Sequence, residues 1–193
     1  MNVITRRHTR RAGSMILVGV FVLLLSACGG SAASQQSDAQ KAGILLQSGL
    51  AAHQAGRLTE AAADYKKVIA YDPKSQWAHY NLGLIEQLNG QNAAAVADYR
   101  AAIATDPTFV GALYNLAILR TPAAPQEAAD LYRKAIAVTP NMAIAHLNLG
   151  FLLQAQGQQA EAKTELDKAV ALDPSLKARL PAPPAPTPAP KKK

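Results

Sequence analysis

Few residues in this chain have the types and spacing that catalysis or metal binding requires. Two of its four histidines, His79 and His146, occupy equivalent places in a pattern that repeats along the chain, and a full repeat separates them. That separation is too large for one shared metal ion. Each also falls in a stripe of residues that packs against a neighbouring helix, which favours a structural role. The chain has no phosphate-binding loop, nucleophile elbow, zinc spacing or paired catalytic carboxylates. We therefore expect no enzymatic activity, no metal and no cofactor.

Cys28 is the only cysteine, so an internal disulfide is excluded. Met1 to Ser14 is basic, with four arginines, and Met15 to Leu25 is almost entirely apolar. An apolar run of this length is shorter than the ~20 residues that a membrane-spanning helix needs. The layout is typical of a signal peptide, and the leader resembles a plain basic one more than a twin-arginine signal. We interpret residues 1–27 as a signal peptide.

Leu25-Ser26-Ala27-Cys28 resembles the lipobox of bacterial lipoproteins. The resemblance implies cleavage before Cys28, transfer of diacylglycerol to its thiol and acylation of the new amino terminus. Two or more acyl chains give stable anchoring, so the protein would sit on a membrane and face away from the cytoplasm. Gly29 follows, which in a host with two membranes implies the outer one; with one membrane it would be the cell membrane. An ordinary export signal or an uncleaved anchor is the alternative.

The net charge of +7 comes from the two ends of the sequence and not from the repeat region between them. The four leader arginines and the terminal Lys191, Lys192 and Lys193 together account for all of it. A neutral body offers no electrostatic surface to nucleic acid, so we expect no nucleic-acid partner. Sustained period-two alternation is absent from the sequence, which argues against a sheet.

Small residues recur every 33 or 34 positions, a period that indicates stacked repeats. In each unit, a first helical stripe runs at i, i+3, i+4 and i+7 and a second follows after a turn. Small side chains mark the point where the two helices cross, and a proline ends the second helix. The recurring sets are Gly49, Gly83, Ala117 and Gly150; Ala61, Ala95, Ala128 and Ala162; Tyr65, Tyr99, Tyr132 and Leu166; and Pro73, Pro107, Pro140 and Pro174.

These spaced positions resemble the tetratricopeptide repeat over residues 42–176. The resemblance implies an all-α fold, an α-solenoid of four helix pairs wound as a right-handed superhelix. The lipidated cysteine and a flexible linker would occupy 28–41, and the repeats 42–75, 76–109, 110–142 and 143–176. The third repeat is one residue short, because Thr121 to Pro125 replaces the glycine turn. We interpret this as a local variant and not as a domain break.

Residues 177–193 form a tail rich in proline and lysine. One interpretation is a polyproline II rod of ~30 Å that presents lysines to an anionic envelope polymer or lipid. The other is a disordered tail. Only Ser175 to Leu180 is available to cap the fourth repeat. Its apolar edge is therefore either a docking or weak self-association surface, or lies under a short cap.

The family resemblance implies that first helices line a concave groove. Taken as 42–55, 76–89, 110–121 and 143–156, these helices contain only Glu86 and Arg120 as charged residues. The groove should therefore be nearly uncharged. Because Glu86 and Arg120 occupy equivalent positions one repeat apart, we expect an ion pair between them.

The predicted groove lining combines amide and apolar side chains. An asparagine recurs at one site in the second, third and fourth repeats, with Gln47 at that site in the first, and its amide can donate to and accept from a peptide backbone. Such a ladder would hold an extended peptide or an amphipathic helix; bonding between neighbouring repeats is the alternative. The predicted partner-binding residues are Trp77, Tyr80, Asn81, Leu84, Tyr114, Asn115, Ile118, Leu147, Asn148 and Phe151.

The sequence thus predicts a membrane-anchored adaptor or scaffold of the bacterial cell envelope that binds a protein partner in this groove. Two alternatives are a pilotin-like factor for type IV pilus secretin assembly and a peptidoglycan-associated factor that acts through the basic tail.

Overall fold

The computed structural model describes residues 36–180. The predicted signal peptide, Cys28 and the tail from 181 onward lie outside this range. Within it every regular element is a helix and there is no strand, which confirms the all-α prediction. The elements are α1 (Asp38–Gln54), α2 (Leu58–Tyr71), α3 (Gln76–Leu88), α4 (Asn92–Thr105), α5 (Val110–Arg120), α6 (Pro125–Val138), α7 (Ala143–Ala155), α8 (Gln159–Leu172) and a 3-10 helix (Pro174–Arg179).

Consecutive helices pair as four hairpins, α1 with α2, α3 with α4, α5 with α6 and α7 with α8. The second helix of each hairpin packs on the first helix of the next hairpin, as α2 does on α3 and α4 on α5. Such stacking builds a core one repeat at a time, because each unit buries its apolar stripe against adjacent units.

The hairpins cross closely where the sequence places small residues. A Cβ atom on Gly83 would lie 2.9 Å from Cε1 of Tyr99, and one on Gly49 would lie 2.7 Å from Cε1 of Tyr65. Both tyrosine rings are fully buried against the opposite backbone. The tyrosine therefore occupies the space that the missing side chain leaves, as the repeating pattern predicts.

Three of the four hairpins turn through a glycine with positive φ, where a Cβ atom would be strained. These are Gly56 (φ 74°), Gly90 (φ 73°) and Gly157 (φ 77°). The third hairpin turns through Thr121 to Pro125 instead. Its first helix, α5, has 11 residues, against 13 in α3 and α7. The stack continues on both sides, so this segment is a local variant within the domain.

Helix α1 begins earlier than predicted. The hydroxyl of Ser37 accepts from the backbone N–H of Gln40, and the Gln40 side chain accepts in return from the N–H of Ser37 at 2.9 Å. This reciprocal capping starts the helix at Asp38. Residues 38–41, which the sequence placed in a flexible linker, are helical.

A short cap closes the C-terminal end of the stack. The 3-10 helix buries Leu176 against Leu147 and Ala169, the place that a fifth repeat would occupy. Leu147 is consequently 0% exposed. The prediction that Leu147 lines the groove is therefore wrong, because the cap covers its side chain.

Charges on the second helices join successive repeats. Arg100 of α4 bonds Glu127 of α6 at 2.7 Å, and Arg133 of α6 bonds Glu161 of α8 at 2.9 Å. These partly exposed ion pairs contribute modestly to stability. All of their charged residues lie on second helices.

Candidate partner-binding groove

A depression whose wall contains predicted groove residues lies between the third and fourth repeats. It is a cavity of about 540 Å³ bounded by the end of α5, the start of α6 and the C-terminal half of α7. Three predicted groove residues, Ile118, Asn148 and Phe151, meet there. The lining is completed by Thr121, Pro125, Tyr132, Leu152, Ala155 and Gln156.

The cavity exists where α5 ends early. In α3 the helix continues to Leu88 before its glycine turn, whereas α5 stops at Arg120. The hydroxyl and N–H of Thr121 both bond the carbonyl of Ala117, at 2.9 Å each, and this closes the last turn of the helix. Pro125 then starts α6 at a position where its missing N–H costs nothing. The final turns of α7 are thus left partly uncovered.

The cavity wall is partly apolar and carries no charged side chain. None of its lining residues is acidic, basic or histidine. The side-chain oxygen Oε1 of Gln156 is buried and has no hydrogen-bond partner among residues 36–180. A buried acceptor of this kind is costly unless a donor reaches it. The uncharged lining of the cavity suits an apolar side chain.

A second part of the predicted groove is aromatic. The ring of Phe109 lies 4.8 Å from that of Trp77 and 4.7 Å from that of Tyr80. Trp77 is 52% exposed, and Leu84 on the same helix is half-buried. Gly111 makes room for Tyr80, because a Cβ atom there would lie 2.9 Å from the phenol oxygen. The patch offers flat apolar surface to a partner.

The asparagine ladder bonds largely within the protein. Asn148 donates from its amide to the hydroxyl of Tyr114 in the preceding repeat, at 3.0 Å. Asn115 occupies the equivalent place beside Tyr80: burial raises the pKa of Tyr80, and the polar side chain of Asn115 lowers it in part. The alternative role, bonding between neighbouring repeats, therefore occurs in the structure.

Asn81 departs from this arrangement. The first repeat has Leu46 where the second and third repeats have Tyr80 and Tyr114, so the Asn81 amide turns back to the carbonyl of Trp77 at 2.7 Å. Asn81 is buried, which corrects its predicted place on the groove surface. For the remaining predicted residues, contact with a partner stays a prediction.

The expected Glu86–Arg120 ion pair is wrong. Arg120 donates from Nε to Glu127 on its own hairpin, at 2.7 Å. Glu86 is instead buried, and its Oε2 atom has no partner among the described residues. Burial and the adjacent carboxyl of Asp98 raise the pKa of Glu86 to about 7, against a smaller opposing effect of Lys66. At neutral pH Glu86 is thus partly protonated.

The two equivalent histidines have the structural role that their positions predict. Nδ1 of His146 lies 2.5 Å from Oε2 of Glu165, and Nε2 lies 3.0 Å from the carbonyl oxygen of Pro140. His79 makes the same pair of contacts, with Asp98 and Pro73. Each imidazole thus joins both helices of its hairpin to the turn before it. Within residues 36–180, no cluster of three His, Cys, Asp or Glu side chains could hold a metal.

Sequence reasoning missed six lining residues of the cavity: Thr121, Pro125, Tyr132, Leu152, Ala155 and Gln156. The sequence contains a signal that points to these residues, because the deletion and the two prolines of the third repeat indicate a first helix that ends early. That signal predicts the shape of the turn, and the cavity beside the next repeat is its further consequence.

Family models match most of the helical body. A model described as TPR repeat matches residues 49–90 and 126–157, and two described as tetratricopeptide repeat match 78–109 and 143–176. The chain belongs to the tetratricopeptide repeat family. No curated protein matches it significantly.

Solved structures share the same architecture. The crystal structure of MamA has a TM-score of 0.64 at 25% identity, over 72% of this chain and 81% of that chain. MamA from Desulfovibrio magneticus RS-1 has 0.61 at 23%, over 69% and 76%. PilF from Pseudomonas aeruginosa has 0.60 at 24%, over 72% of this chain and 64% of that one. These likenesses confirm the repeat fold, which supports a protein-interaction scaffold. By length and apolar character, none of the helices in residues 36–180 meets the requirements for crossing a membrane.

Proposed function

We propose that this chain is a lipid-anchored adaptor that holds a protein partner at the surface of a bacterial envelope membrane. The observation that carries the proposal is the uncharged cavity between the third and fourth repeats. An uncharged, partly apolar surface selects a segment that presents apolar side chains, because an unpaired charge buried there would be strongly disfavoured.

The partner is an extended peptide or an amphipathic helix. One apolar side chain enters the cavity beside Ile118 and Phe151. The aromatic patch of Trp77, Tyr80 and Phe109 contacts a more distant part of the same segment. Binding involves no covalent step.

The lipid on Cys28 supplies the location. The leader and Leu25-Ser26-Ala27-Cys28 support this placement. Residues 29–35 precede the described helical body and are rich in Gly, Ser and Ala. A short tether of this composition reaches only ~15 Å, so the groove would stay close to the bilayer.

Paired substitutions test the groove. Ile118→Ser with Phe151→Ser removes apolar lining from the cavity, and Val138→Ser removes an exposed apolar side chain from the end of α6. The first variant should lose the partner that co-purifies from solubilised envelopes, and the second should retain it. Equal retention by both folded variants, checked by helical circular dichroism, would refute groove binding.

A pilotin-like role is the second candidate, supported by the fold that this chain shares with PilF. It differs from a general adaptor in its partner, which would be a secretin subunit. Co-purification of a secretin through the same cavity would favour the pilotin role, whereas a different envelope protein would exclude it. Loss of the partner only on deletion of 181–193 would favour the peptidoglycan-associated alternative.

A further inference from the structure

The chain leaves its helical body beside the groove. Leu180, the last described residue, packs against the same apolar cluster as Phe151, formed by Leu147, Ala169 and Leu176. Leu180 also borders a depression that contains Gln154, one helical turn beyond Phe151.

The charge of Arg179 provides separate support for this placement. Burial raises the pKa of Tyr114, while the hydrogen bond from Asn148 and the positive charge of Arg179 lower it. The positive charge of Arg179 thus acts on a residue of the predicted groove lining. The segment that begins at Pro181 starts next to the groove.

The composition of that segment matches the surface it meets. Residues 181–190 contain six prolines with alanine and threonine and carry no charge. Pro181 and Pro184, like Pro183 and Pro186, have the PxxP spacing of segments that bind aromatic-lined surfaces as polyproline II helices. The groove offers Phe151, Ile118 and the exposed ring of Trp77 to such a segment.

The length is also sufficient. Ten residues of polyproline II span about 31 Å. Helices α3 and α7 belong to hairpins two repeats apart, and at ~10 Å between packed helices this separation is ~20 Å. A segment that starts beside Phe151 can therefore extend past Ile118 and Leu84 to Trp77.

The lysines at the end of the tail and an acidic residue near Trp77 carry opposite charges. Lys191, Lys192 and Lys193 follow the uncharged stretch. Asp106 lies at the turn before Phe109 and accepts from Gln76, the neighbour of Trp77, at 3.4 Å. Hydrogen bonds from Thr108 hold the pKa of Asp106 below its usual range, so its exposed carboxylate is charged at neutral pH. Lysines that have passed the uncharged surface would meet this carboxylate.

We propose that residues 181–193 bind in the groove of their own chain, with the prolines across the cavity and the aromatic patch and the lysines near Asp106. This inference rests on the proposed function, because the tail then competes with the external partner for one surface. A partner must displace the tail, so deleting the tail should strengthen partner binding.

The only tryptophan of the chain, Trp77, reports on this contact. A synthetic peptide of residues 181–193 is titrated into two chains, 36–180 and 36–193, both of which contain the complete set of core clusters. The peptide should change Trp77 fluorescence of the chain 36–180 saturably. The chain 36–193 should need at least ~10-fold more peptide, because a linked segment has an effective concentration near millimolar.

A peptide with serine in place of every proline keeps the lysines and is the matched control. Binding of this control as tight as that of the natural peptide would refute proline recognition. Equal responses of the two chains, or no response of 36–180, would refute occupancy by the tail. Protection of 36–193 that grows with protein concentration would place the tail in a second copy, which contradicts the intramolecular form.

The partner experiment separates the two proposals. If the tail peptide does not bind but Ile118→Ser with Phe151→Ser still loses the partner, the tail proposal fails and the groove function stands. If those variants retain the partner, the groove function fails whatever the peptide does.

Discussion

The amide of Asn148 donates to the hydroxyl of Tyr114 at 3.0 Å and so joins two successive repeats. Tyr114→Phe keeps the ring and removes the acceptor. We expect a loss of about 0.5–1.5 kcal/mol in unfolding free energy, the typical contribution of such a bond. Tyr71→Phe, at an exposed ring at the end of α2, should change little. Urea denaturation measures both, and equal effects would show that the bond contributes nothing.

The same substitution, glycine to alanine, should change the free energy of unfolding in opposite directions at two sites. Gly83→Ala places a methyl 2.9 Å from the Tyr99 ring, so overpacking should cost about 1–3 kcal/mol. Gly43→Ala, within α1, places the same methyl where no atom lies within 4 Å. It should stabilise by about 0.5–1 kcal/mol, because alanine is the better helix former. Thermal melts test both variants. A neutral Gly83→Ala would mean that the helices move apart without cost.

The buried His146–Glu165 pair of the fourth repeat can be replaced by the apolar pair that the third repeat has at the equivalent positions. The residues equivalent to His146 and Glu165 are there Leu113 and Leu131, both buried. His146→Leu leaves the Glu165 carboxylate without its donor and should cost about 2–4 kcal/mol. Adding Glu165→Leu should recover at least ~1 kcal/mol, because two apolar groups replace two polar ones.

A double-mutant cycle of unfolding free energies measures this coupling. Glu165→Leu alone completes the cycle. Strictly additive effects of the two substitutions would show that the His146–Glu165 contact is energetically unimportant, despite its 2.5 Å distance.

Glu86 makes stability depend on pH. Its pKa rises from an ordinary 4.5 to about 7 in the folded protein, mainly through burial. Between those values the folded state holds a proton that the unfolded chain has released, so stability falls as pH rises from 4.5 to about 7. Glu86→Gln should remove this slope and stabilise the protein above pH 7 by about 1–3 kcal/mol.

The exposed Glu60 provides the control, because Glu60→Gln should leave the pH profile unchanged. Melting temperatures from pH 4 to pH 8 compare the three proteins. A wild-type profile that rises through this window, with no effect of Glu86→Gln, would contradict the protonated state of Glu86.

Lipidation predicts a specific biochemical outcome. In a bacterial host, radiolabelled palmitate should enter the wild-type chain and not Cys28→Ala, because the thiol is the acceptor of the lipid. Ser26→Ala keeps the cysteine and serves as the control. Absence of label from wild type, or equal label in Cys28→Ala, would contradict the anchor.

The fold could be predicted because its determinants are local and periodic. Gly83 and Tyr99 mark a crossing that only a small residue allows, and the same pair recurs as Gly49 and Tyr65. The helix bounds follow from stripes and prolines that recur with the period. The start of α1 was missed because a single reciprocal cap at Ser37 sets it, and that signal occurs once.

The site could be predicted only in part, because side-chain reach and coverage are not periodic. Arg120 and Glu86 occupy equivalent positions, yet Glu127 on the same hairpin lies nearer to Arg120. Leu147 has the spacing of a groove residue, but Leu176, at the end of the last repeat, covers it. The absence of charge along the cavity wall did follow from composition, since it depends on residue types and not on their rotamers.

Site-specific photo-crosslinking tests groove binding most directly. A benzophenone amino acid replaces Ile118 in the cavity or Val138 on the outer side of α6, each in the full chain within intact envelopes. Groove binding predicts one crosslinked protein from position 118, stronger when residues 181–193 are deleted, and none from position 138. The same product from position 138 with none from 118 would contradict it.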